Sequence, residues 1–190
     1  MRQFPIALSL LAVGLFCTIP VPTRGAEPAP SAKPDESTVG EVRNQTFKGF
    51  IYFHASTKAT FQNIGDKAKT LIPAIEKAMA DAHTHPAGPL IFIYHGASDA
   101  NVEFELQIGF PISEKVTAPA EFKVRDVADY ACTSVVYSGP LSRIGTAYEK
   151  LMPAAQASAQ KPSDESREMY LYFEGLESAN NVVHISVGKK

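Results

Sequence analysis

The chain has 190 residues, 45% of them hydrophobic, which suits one domain with a sizeable core and leaves too little for two. Its formal charge of -2 argues against a nucleic-acid partner, because proteins that bind nucleic acid present a clustered basic face.

Residues 1–26 read as a secretory signal peptide. Arg2 gives a positive start, Ile6 to Cys17 is apolar, and small residues follow at Thr23, Gly25 and Ala26. That apolar run falls short of the roughly 20 residues a bilayer-spanning helix needs, so no membrane span is expected after cleavage. The expected mature protein is therefore exported, periplasmic or secreted. Cleavage leaves 16 basic against 20 acidic residues and a lone Cys132, so no intramolecular disulfide can form. Residues 27–44, rich in Pro, Ala, Ser and charge, read as a flexible linker, and the folded domain is expected over 45–190.

Within that domain a strand is predicted at Phe50-Ile-Tyr-Phe-His. A helix follows whose apolar face is Phe61, Ile64, Ala68, Leu71 and Ile75. Strands follow at Leu90-Ile-Phe-Ile-Tyr and at Val102 to Ile108, where Val102, Phe104, Leu106 and Ile108 alternate with Glu103, Glu105 and Gln107. The pattern then recurs 80 residues on. A strand at Tyr130 to Tyr137 precedes a helix with Leu141, Ile144, Tyr148, Leu151 and Ala155 on one face. Strands at Met169-Tyr-Leu-Tyr-Phe and Val182 to Val187 complete it. Gly65 and Pro73 fall on Gly145 and Pro153, and the shared proline should kink each helix or start a fresh turn. Each unit reads β-α-β-β and cannot bury its sheet face alone. The expected fold is α+β, two such units packed about a pseudo-twofold, with antiparallel sheets, two helices and a central cleft.

Four segments carry a family resemblance. They are Phe104-Glu-Leu-Gln-Ile-Gly-Phe-Pro-Ile, Ser138-Gly-Pro-Leu-Ser-Arg-Ile-Gly-Thr-Ala-Tyr-Glu-Lys-Leu, Arg167-Glu-Met-Tyr-Leu, and the final alternating strand. In this order over residues 48–188, the chain resembles the GyrI-like (gyrase-inhibitor-like) small-molecule-binding domain, also the effector-binding module of multidrug-responsive transcription activators. The resemblance implies duplicated SHS2-type units and an aromatic cleft with a carboxylate at its base. The Glu of the Arg-Glu-x-Tyr motif carries over to Glu168.

Alternation along 168–174 puts Glu168 on one face with Tyr170, Tyr172 and Glu174, beside two phenols. Eighty residues earlier stands Gly88, so the repeated scaffold does not itself require an acid there. Tyr94, Tyr52, Tyr137 and Phe110, at strand ends or centres, are further candidate lining residues. Two departures from the family weaken a cation–π cage: there is no Trp, and Leu141 stands where an aromatic often follows the Gly-Pro pair.

The expected activity is binding of a lipophilic, possibly cationic small molecule anchored by Glu168. The alternative is hydrolysis of a strained electrophile, with Glu168 as general base beside Tyr170. A third reading is an interaction protein that docks a partner in the cleft or on a sheet edge. No cofactor or metal is expected, since His83-Thr-His85 lies in a turn with no second ligand cluster and no zinc, phosphate-loop or nucleophile-elbow motif is present.

Overall fold

The computed structural model describes residues 37–97, 102–158 and 160–190. The expected signal segment, residues 1–26, lies outside them. The elements in order are β1 (Thr38–Val39), β2 (Arg43–Phe47), β3 (Phe50–Ala59), α1 (Ile64–Asp81), β4 (Leu90–His95), β5 (Phe104–Ile112), β6 (Lys123–Val127), β7 (Tyr130–Ser138), a 3-10 turn (Leu141–Arg143), α2 (Gly145–Gln156), β8 (Pro162–Tyr172) and β9 (Val182–Lys189). No described helix is long and apolar enough to cross a membrane.

The fold is α+β. Among the described residues the strands form one nine-stranded antiparallel sheet, ordered β1-β7-β9-β8-β4-β5-β3-β6, with β2 also on β7. The order β7-β9-β8 is met by β4-β5-β3, so each half contributes three strands and the halves join at β4 and β8. The register of β2 on β7 ends at Phe47 opposite Tyr130, and that of β3 on β6 starts at Phe50 opposite Val127. The two long segments thus cross antiparallel without a slip, and the chain passes from one end of the sheet to the other. At the crossing, Gly49 N–H donates to Asp129 Oδ1 at 2.8 Å.

Residues 38–44, expected within the linker 27–44, belong to the folded domain, and 27–36 lie outside the described residues. Thr38–Val39 and Arg43–Phe47 pair with β7, and Val39 and Val42 pack against the core beneath α2. These strands are short and polar because they cover an edge, so they lack the apolar run that marks a central strand. The same holds for β6, which no apolar run marks in the sequence.

Helix α1 packs on β3 and β5, and α2 on β7 and β9. Beneath α1 lie Phe53, Ile75, Met79, Leu106 and Ile108; beneath α2 lie Val135, Leu151, Val183 and Ile185. Leaving water contributes roughly 1.5–3 kcal/mol for each such side chain. Neither helix covers the central pair, β4 and β8. That gap is the cleft. Neither proline starts a new helix: Pro73 lies inside α1 and Pro153 inside α2.

The opposite sheet face is closed by the crossing segments and buries Tyr52, Ile91, Ile93 and Val127. Burial there extends to polar groups. Arg167 binds Glu165 through Nε at 2.6 Å and lies 3.7 Å over the Tyr130 ring. His54 is stacked on Tyr52.

Candidate functional site

The floor of the cleft is set by strand register. Leu90, Phe92 and Tyr94 of β4 stand opposite Tyr170, Glu168 and Ser166 of β8. All six side chains point to the helix side and line one cavity of about 1130 Å³. Its walls are Ile64, Ala68 and Ile72 of α1 and Ile144, Tyr148 and Met152 of the α2 region.

Glu168 sits at the centre and is 6% exposed. Burying an unpaired carboxylate carries a large penalty, and here three phenols offset it. Tyr94 Oη and Tyr170 Oη each donate to Oε2 at 2.7 Å, and Tyr148 Oη donates to Oε1 at 2.6 Å. Burial, and next the Glu168 charge, push all three phenols well above their ordinary range. They remain O–H donors at any physiological pH. A carboxylate offers about four lone-pair sites, so three phenols leave one for an incoming donor or cation. The rings add apolar surface: Phe92 lies 4.9 Å from Tyr170, and Phe173 meets Tyr170 edge-on at 6.5 Å.

Registers also identify which residues correspond between the halves. Tyr52 pairs with Pro111 and its counterpart Cys132 with Gly188. Following β5 onto β4 and β9 onto β8, Gly109 meets Ile91 where Ser186 meets Arg167. Phe92 therefore occupies the place of Glu168, and Tyr94 that of Tyr170. The 80-residue spacing shortens by four residues between β4 and β8, and by three between β5 and β9, which overturns the pairing of Glu168 with Gly88. The acid still has no acidic counterpart: a phenylalanine faces it across the central strand pair, with equivalent tyrosines on either side.

No protein-family model matches the chain, and no curated protein matches it. Among solved structures, the C-terminal domain of EcmrR is similar over 79% of this chain and 97% of that domain, with TM-score 0.69 and 13% identity. Against EcmrR in its DNA complex the chain spans 58% of the longer protein. SAV2435, solved bound to tetraphenylphosphonium, is similar over 79% of this chain and 94% of its own length, with TM-score 0.58 and 12% identity. The chain shares the fold of these two proteins.

On that frame the structure brings together Glu168, Tyr170 and Tyr94 of the residues singled out in sequence. It does not bring Tyr52, Tyr137 or Phe110 to the cavity. Tyr52 is buried on the opposite sheet face and donates to the Ile91 carbonyl at 2.7 Å. Tyr137 is buried beneath α2 and donates to the Pro140 carbonyl at 2.5 Å. Phe110 packs in the core beneath α1. Tyr172, expected beside Glu168, lies past a register shift after Tyr170 and is 45% exposed. From the sequence Tyr148 is expected only as helix core, because its alignment with Leu141 and Ile144 is the pattern of any buried face. Its counterpart at the 80-residue spacing is Ala68, and that mismatch was the available signal. Cys132 is fully buried, and burial pushes its thiol up to about 11, which leaves it unreactive.

Proposed function

We propose that this protein is exported and binds a lipophilic organic cation in the cleft between α1 and α2, with Glu168 as the electrostatic anchor. One observation carries the reading: a buried carboxylate, held by three phenol donors, is the centre of a large cavity with otherwise mainly apolar walls. Aromatic faces attract a cation by about 0.5–2 kcal/mol each, and the walls favour flat apolar groups. The tetraphenylphosphonium bound to SAV2435 is a ligand of that class.

Calorimetry with tetraphenylphosphonium tests it. Saturable binding is expected, weakened roughly tenfold to hundredfold by Glu168→Gln, as befits loss of a charged partner. Unchanged affinity in a variant that melts like the parent removes the anchor role. Mixing the protein with a strained cyclopropane electrophile and analysing for product separates binding from hydrolysis. Export is read from residues 1–26, and mass spectrometry of protein recovered from the cell exterior or envelope should find a chain starting close to residue 27.

A further inference from the structure

The cavity is polarised along β8. At one end it is lined by Ser163, Asp164 and Ser166; Glu168 lies at the middle; Phe173 and Leu176 line the other end. Gly96 N–H donates to the Asp164 carbonyl at 2.9 Å, so the extended pairing of β8 with the β4 segment persists to residue 164. Asp164 and Glu168 thus line the same cavity four strand steps apart, about 13 Å.

The two acids differ in circumstance. Glu168 is buried, whereas Asp164 is exposed, and its carboxylate makes no hydrogen bond or ion pair with any other described residue. The intervening Glu165 is taken by Arg167 and lies 3.9 Å from His95. The basic lining residue, Lys69 of α1, stands 3.9 Å from Asp66. Opposite Asp164, a Cβ added to Gly96 would meet nothing within 4 Å, so that end has room for a headgroup.

We propose that the ligand is an elongated dication, with a lipophilic cationic head over Glu168 and a second, hydrated cationic group at Asp164. This rests on the cation-binding reading above and deepens it from one charge to two at a fixed span.

The test uses three probes sharing a triphenylphosphonium head. One carries a neutral alkyl tail, one a tail ending in trimethylammonium at the span above, and one the same ammonium on a tail half as long. At low salt the long dication should bind about threefold tighter than the neutral-tailed probe, the size of an exposed ion pair. The preference should vanish in Asp164→Asn, in about 0.5 M salt, and for the short dication. Asp164→Asn should leave the neutral-tailed probe unaffected. A long dication that binds no better, or a preference that survives Asp164→Asn, overturns the proposal while the monocation reading stands. Failure of the neutral-tailed probe to bind overturns both.

Discussion

Tyr94, Tyr148 and Tyr170 fix Glu168, and their hydroxyls are separable from their rings by substitution. Tyr94→Phe removes one donor from a buried acceptor and should destabilise the fold by about 1–3 kcal/mol in urea unfolding. The ring face stays and the carboxylate gains a free lone pair, so tetraphenylphosphonium affinity should not fall. A drop in both quantities would mean that the phenol contacts the ligand directly. His54 supplies a second residue-scale prediction. Burial, and next the Arg125 charge, lower its pKa to about 4 from 6.5. The folded state therefore favours the neutral ring. Its contribution is fully present above pH 6.5 and is lost as pH falls from 6.5 toward 4, by at most about 1.4 kcal/mol per unit. Urea midpoints at pH 7 and pH 4.5 in the parent and in His54→Asn measure it, and the variant should show the smaller difference. Side-chain roles were legible where strand alternation decides them, as for Glu168 and Tyr170. They were not legible for Tyr52, Tyr137 and Phe110, since a large aromatic ring in a strand serves a core as readily as a cleft.

The helices line the cleft where their first turns carry glycine. Gly65 and Gly145 both line the cavity, and a Cβ on either meets nothing within 4 Å. Gly65→Ala and Gly145→Ala should be neutral or stabilising by up to about 1 kcal/mol, while narrowing the entrance. Calorimetry should show weaker binding of bulky tetra-aryl cations and little change for small ones. Gly139 behaves oppositely. It sits at φ +143° between β7 and the turn into α2, and a Cβ there would lie 2.8 Å from the Ser37 Cβ. Gly139→Ala should cost about 1–3 kcal/mol, read as a lowered melting temperature. Both helices and the six central strands could be read from apolar periodicity, because those elements bury one face or two, apart from the polar first half of β8, Pro162 to Arg167. The covering strands β1, β2 and β6 could not. Arg43-Asn-Gln-Thr-Phe and Lys123-Val-Arg-Asp-Val hold their place by backbone pairing, which leaves little trace in side-chain pattern.

At the scale of the whole molecule, order begins before residue 45. A chain starting at Ser37 should melt about 5–10 °C above one starting at Lys48, which lacks the strands covering β7 and the apolar cover from Val39 and Val42. Equal melting temperatures would mean that β1 and β2 only decorate the edge. The crossing of 43–54 with 123–134 has a further consequence. Arg43 meets Ser134 as Lys123 meets His54, so β2 stands to β7 as β6 stands to β3. A fragment ending before β6 would leave one edge of its own β3 unpaired and its own β2 without a host. Two such fragments answer both needs by lending β2 to each other and joining at β4, with Phe92 against Phe92. That homodimer would enclose a hollow flanked by paired tyrosines yet hold no anion at its heart, and it should be indifferent to the charge of what it takes up.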